Sequence, residues 1–295
     1  MAVSTATAGV VGRYGGLGRA VLQAKRLRLP WIPIVILTIL MVSAIFAPLL
    51  ARYDPTEISL GDARIAPFKT LTHPLGTDML GRDVLSRLIF GARSSATISL
   101  TALAVGVTLG TTVGLISGYV GKWVDTILMR VTDALLGFPS ILVAMIIVAL
   151  MGTGIQNVVV AVAATTWPRF ARMVRGEALS AKERDYVIIA RVIGVPPHVI
   201  VRRHIFSSVA NIVMIIASIM VAQVILLEAT LSFLGLGFPP GAPAWGIMVA
   251  EGRQVILTAW WLSLLPGVVI MAVVMAFNFF GDWLRDTLDP KLRRL

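Results

Sequence analysis

The chain reads as an all-α integral membrane protein with six transmembrane helices and both termini cytoplasmic, and three observations carry that reading. Hydrophobic residues fill 57% of the 295 positions and charged ones only 14%, against about a quarter charged in soluble domains. The charges are clustered, so 31–50, 94–121, 134–168, 205–227 and 255–281 contain none. About 20 apolar residues suffice to cross about 30 Å of hydrocarbon. The basic residues are also one-sided. With six spans, 19 of the 26 Lys and Arg fall on the side holding both termini and 7 on the other, which makes the richer side cytoplasmic. The net charge of +11 follows from that asymmetry. It calls for anionic lipid and cytosol at the basic face, not for nucleic acid.

Taken in order, residues 1–29 are Gly-rich and basic, a cytoplasmic tail that is either disordered or an interfacial amphipathic helix. Span one, about 31–50, lacks a small-residue cleavage site and reads as an anchor. An external loop completes the segment 30–93. Its stretch 78–93 places Leu80, Val84, Leu85 and Leu88 at helical spacing, predicting an amphipathic helix on the outer surface. Residues 94–284 form a five-helix core. Span two, about 97–120, carries Gly106, Gly110, Gly114 and Gly118 in one row with Ala102. Small residues four apart let helices approach closely, so the row is read as a packing ridge, with a pathway lining as the alternative. The window 134–168 is too long for one span. Gly152-Thr-Gly154-Ile-Gln-Asn157 breaks it as a tight hairpin, giving spans at about 132–151 and 156–174, with Arg169 and Arg172 snorkelling to the surface.

A polar cytoplasmic loop, about 175–206, precedes span five at about 207–233. Ser180-Ala181-Lys182-Glu183 has the capping-box pattern, predicting a helix from there to Ile193. Gly194 supplies its left-handed C′ residue, and Pro196-Pro197 open a second short helix toward Phe206. Gly235 to Gly246 predicts a structured non-helical loop over the outer mouth. The last span covers about 258–281, and 285–295 form a second cytoplasmic tail.

Three segments carry a family likeness. Ala190…Gly194 followed by Arg203-His204-Ile205-Phe206 resembles the "EAA" loop of ABC-importer permeases. His73-Pro-Leu-Gly-Thr-Asp78, continuing through Gly81-Arg82-Asp83, resembles the first external loop of the C-type permease subunit of dipeptide, oligopeptide and nickel importers. Leu231-Ser-Phe-Leu-Gly-Leu-Gly237, with Pro239-Pro240 and Trp245-Gly246, resembles the last external loop of the same subunits. Together these span roughly residues 30 to 290. The family's Glu-Ala-Ala falls on Ile188-Ile189-Ala190 and its Leu-Pro on Phe206-Ser207. The acidic residue that usually faces the ATPase is thus missing at its place, and Asp185, nearly one turn earlier, is read as its substitute.

The resemblance implies a type I ABC-importer permease fold in a bacterial cytoplasmic (inner) membrane. It also implies a homologous B-type permease as partner, two ATPase domains bringing ATP and Mg, and an external substrate-binding protein. Dipeptide is the first choice of cargo; oligopeptides and nickel complexes are the alternatives. On this basis Asp185, Ile188, Ala190 and Gly194 are the ATPase-coupling candidates. Asp78, Arg82, Asp83 and Trp245 are candidates for binding-protein docking or an outer gate. The competing readings are a solvated face with local ion pairs and, for Trp245, an interfacial anchor. Glu228 follows twenty-three uncharged residues. It is either a pathway or gate residue or a carboxyl pinning the outer end of span five.

The chain has no cysteine, which excludes disulfides and thiolate metal sites. His73, His198 and His204 fall on opposite sides of the membrane, so no metal centre is expected. No Gly-x-x-x-x-Gly-Lys-Ser/Thr segment exists, so no ATPase activity or bound cofactor is expected of this chain. A secondary transporter would need internal repeats and coupling-ion residues at mid-membrane, of which only one buried carboxylate is present. A non-transporting membrane scaffold is the remaining alternative.

Overall fold

A computed structural model describes residues 29–288. Of the expected tails, 1–28 and 289–295 lie outside them, and 285–288 form the last turn of the final helix. The described residues form helices and irregular turns, with one isolated bridge between Thr77 and Asp83. In chain order the helices are α1 (Trp31–Leu50), α2 (Val84–Val120), α3 (Lys122–Leu136), α4 (Ser140–Met151) and α5 (Ile155–Lys182). Then come α6 (Asp185–Val192), α7 (Phe206–Phe233), α8 (Trp245–Arg253) and α9 (Trp261–Leu288).

Four helical runs are long and apolar enough to cross a membrane: Trp31–Leu50, Val84–Val120, Pro197–Phe233 and Trp261–Thr287. The pair α3 and α4 qualifies as a fifth only as one broken span, bent by 93° at Gly137–Pro139. α5 does not qualify by composition, because its second half carries Arg169, Arg172 and Arg175.

α2 and α5 form the most extensive pairing, and α7 packs against both. The glycine row of α2 is what lets α5 in. A Cβ on Gly110 would lie 2.4 Å from the Trp167 carbonyl oxygen and 2.6 Å from Phe170 Cβ. On Gly114 it would lie 2.6 Å from the Ala171 oxygen. Backbone stands where side chains would otherwise stand, which is how helices associate without a hydrophobic drive. The packing-ridge reading of that row therefore holds. α1 packs on α2 and α9 at the periphery, and its non-helical Phe46 lies two residues before Pro48, a residue that cannot complete the helical ladder.

The hairpin at Gly152 also forms as read. α4 ends at Met151, α5 begins at Ile155, and Asn157 Nδ2 donates to the Met151 and Gly152 carbonyls at 3.0 and 2.9 Å. Several boundaries differ from expectation: the third span is bent by 93°, the fourth runs on to Lys182, and the last runs from Trp261 to Leu288. The stretch 78–93 is not a separate surface helix: its second half is the start of α2, which runs on for 37 residues, about 55 Å at 1.5 Å per residue. Periodicity cannot distinguish a helix that stops at the interface from one that continues into the bundle. The non-helical outer loop ends two residues earlier than read, because Trp245 already opens α8.

Candidate functional site

The elbow is built from an interrupted helix. Ser180 to Lys182 do not begin a helix, as the capping-box pattern suggested; they end α5, and α6 begins at Asp185 with no side-chain cap. Packing overrides the local signal. Ala178 and Ala181 are fully buried, and a Cβ on Gly118 of α2 would meet Ala178 Cβ at 2.8 Å, so α5 stays helical through the pattern. The C-terminal prediction for α6 holds. Gly194 has φ +84, its N–H donates to Arg191 O at 3.1 Å, and the Val195 N–H donates to Ala190 O at 3.0 Å. This pair of bonds is a Schellman motif. The helix after Pro196 is not a separate element. Pro197–Val199 and a π-helical Ile200–Ile205 lead without a break into α7.

The elbow has its own small core. Val187, Ala190, Ile200 and Ile205 pack with Val174, Ala178 and Val209, so α6 is fastened to the inner ends of α5 and α7. Lys182 Nζ donates to the Tyr119 carbonyl at the end of α2 (3.1 Å). Arg184 joins Glu177 and Ser208. The elbow is thereby bonded or packed to three long helices, α2, α5 and α7.

Of the coupling candidates, Asp185, Ile188 and Gly194 are exposed, whereas Ala190 is turned inward and only 5% exposed. The outward face of α6 and its cap carries Ile188, Ile189, Val192 and Ile193, all exposed. Contiguous exposed apolar surface of this kind marks an interaction site.

At the opposite end of α2 the outer candidates come together, but inside the protein. Asp78, Arg82, Asp83 and Trp245 are all buried. Asp83 caps α2, its carboxylate accepting from the Ser86 N–H at 2.8 Å, and its other oxygen lies 3.0 Å from His73 Nδ1. His73 stacks on Tyr53. Asp78 accepts from Arg82 Nε and Arg87 Nη1, both at 2.6 Å. Both guanidiniums then reach Glu251 of α8, at 3.1 and 2.7 Å. These four charges line a cleft of about 160 Å³.

Trp245 is neither an interface anchor nor a surface contact: it is 1% exposed, and its indole N–H donates to the Leu88 carbonyl at 3.0 Å. It reaches that carbonyl because α2 has Gly91 there, where a Cβ would meet the indole at 2.5 Å. The arrangement clamps α2, α8 and the 53–83 loop into one outer cap. Sequence reasoning missed Glu251, the residue that joins the two halves; its only signal was a lone acid after the apolar run Ile247–Ala250.

Glu228 is fully buried between α7 and its neighbours, with Oε1 accepting from Ser232 Oγ at 2.8 Å. That bond lies within α7, joining residues one turn apart near its end. Neither His198 nor His204 joins His73, and among the described residues no cluster of three His, Cys, Asp or Glu is placed to hold a metal.

A helical bundle of long apolar helices, with an interrupted elbow at one end and a clamped cap at the other, is the architecture of a multi-pass membrane protein. Residues 110–294 match the family model described as binding-protein-dependent transport system inner membrane component. The chain belongs to that family, and is an inner-membrane protein. It is 38% identical over 271 residues to the dipeptide transport system permease protein DppC of Alkalihalophilus pseudofirmus, covering 92% of this chain and 88% of the relative. It is 41% identical over 255 residues to the glutathione transport system permease protein GsiD of Pectobacterium atrosepticum, covering 86% and 84%. Among solved structures, the MetNI methionine ABC transporter in inward-facing conformations has the same fold. The TM-score is 0.57 at 17% identity, over 69% of this chain and 96% of that one.

Proposed function

We propose that this chain is one permease subunit of an ATP-driven peptide importer, forming half of the translocation pathway with a homologous B-type partner. The reading takes six spans, counting the bent α3–α4 pair as one and α5 as another, with both termini cytoplasmic. Two ATPase domains, carrying ATP and Mg, dock on the elbows, and an external binding protein delivers the cargo; this chain itself has no ATPase. The observation that carries the proposal is the elbow: an apolar outward face on a corner whose inner face is packed to three long helices. Closure of the ATPases moves that corner and opens the bundle outward by alternating access.

Dipeptide is the favoured cargo, since the relatives named above are dipeptide and glutathione permeases. The deciding experiment is ATP-driven uptake in vesicles with all partners present, challenged with di-, tri- and longer peptides and with nickel complexes. Uptake of dipeptide that requires ATP and the binding protein supports the reading. Uptake that persists without the ATPases, driven by an ion gradient, would sink it.

A further inference from the structure

On α5, Arg169, Arg172 and Arg175 recur at intervals of three. Two have carboxylates from α3 as partners. Arg172 Nη2 donates to Asp133 Oδ1, and Arg175 donates to both oxygens of Asp125 at 2.6 Å each. Arg169 differs. Its Nη1 donates to the amide oxygen of Gln223 on α7, and among the described residues no carboxylate lies within ion-pair distance of it.

Arg169 stands midway along α5, six residues before Arg175, about 9 Å at 1.5 Å per residue. Both Arg169 and Gln223 are exposed. An exposed guanidinium within a spanning segment costs about 3 kcal/mol against lipid, and one hydrogen bond to a neutral amide returns only about 1 kcal/mol. Facing water or another polypeptide removes that cost. The two side chains open on a cleft of about 60 Å³ between α4, α5 and α7, lined also by Ser140, Thr165 and Thr166. The two threonine hydroxyls donate to the Val162 carbonyl at 2.9 and 2.6 Å. The donors that remain to face the cleft are those of Arg169, the Gln223 amide nitrogen and the Ser140 hydroxyl.

We propose that this cleft lines the aqueous pathway, and that Arg169, oriented by Gln223, binds the carboxylate of a peptide in transit. Guanidinium and carboxylate match as a two-pronged pair, and the volume suits a carboxylate group, with the rest of the pathway supplied by the partner permease. The inference rests on the importer reading.

Two measurements on the assembled importer test it. Since the chain has no native cysteine, Thr165→Cys and Gln223→Cys can be probed with a charged, membrane-impermeant thiol reagent, with Val160→Cys on the same helix as the apolar exposed control. Positions 165 and 223 are expected to label, and 160 is not. Silence at 165 and 223 would overturn the proposal, pointing to a closed contact with the partner permease. In vesicles, Arg169→Gln is expected to lower dipeptide taken up per ATP hydrolysed about tenfold, as loss of a charged hydrogen bond does, while Arg169→Lys retains most of it. Equal coupling in Arg169→Gln and the parent would overturn it too. Failure of the parent importer to take up any peptide strikes the importer reading instead, and the labelling pattern is unaffected by that outcome.

Discussion

Gly194 and Glu251 decide the most at the scale of single residues. At Gly194 nothing lies within 4 Å of where a Cβ would stand, so the cost of substitution is purely conformational. A β-branched residue at φ +84 costs about 1–3 kcal/mol. Gly194→Val should therefore loosen the corner and lower ATPase activity stimulated by the loaded binding protein, while Gly194→Asn, which tolerates this conformation, should retain most of it. Equal activities would remove the corner from the mechanism. Glu251 is different, because its value is electrostatic. Glu251→Gln leaves Arg82 and Arg87 with one carboxylate between them, one of them only 2% exposed in its side chain. Loss of charged hydrogen bonds there should cost about 2 kcal/mol, read as a lower melting temperature of the purified complex. An unchanged melting temperature would mean that the clamp contributes nothing to the outer cap.

At the scale of elements, the α2–α5 pairing is the test of how the bundle is held. Gly110→Leu would drive a side chain into the Trp167 carbonyl and Phe170, forcing α5 away from α2. Assembly with the partner subunits should fail. Gly176→Ala, on α5 itself with nothing within 4 Å of its Cβ position, should be neutral, and the pair is compared by yield of intact complex. That ridge is legible in the amino-acid sequence, as are the Gly152 hairpin and the left-handed Gly194, because each depends on a local rule: small residues at i and i+4, or a backbone angle that favours glycine. The misread elements depend on distant partners. Ser180–Glu183 has a sound capping pattern, yet buried Ala178 and Ala181 keep α5 helical through it. Trp245 looks like an interfacial anchor until Gly91, far earlier in the chain, gives its ring a place to enter.

For the whole molecule, the consequence is a division of labour between the two ends of a 37-residue helix. The outer end of α2 is locked by buried charges. The inner end carries a corner whose exposed face is apolar at Ile188, Ile189, Val192 and Ile193. If the ATPase docks on that face, a charge placed there should uncouple the complex without disturbing the bundle. Val192 is 80% exposed, so Val192→Asp should leave melting within about 0.5 kcal/mol of the parent, as surface changes do. Truncating or charging a central apolar contact should weaken ATPase association by about ten- to a hundredfold. Ala190→Asp separates contact from packing, because it buries a carboxylate in the elbow's own core and should lower melting and ATPase association together. Co-purification of the ATPase at parental stoichiometry with Val192→Asp, under conditions where Ala190→Asp loses it, would mean that the corner serves only to hold the bundle and that the ATPase docks elsewhere.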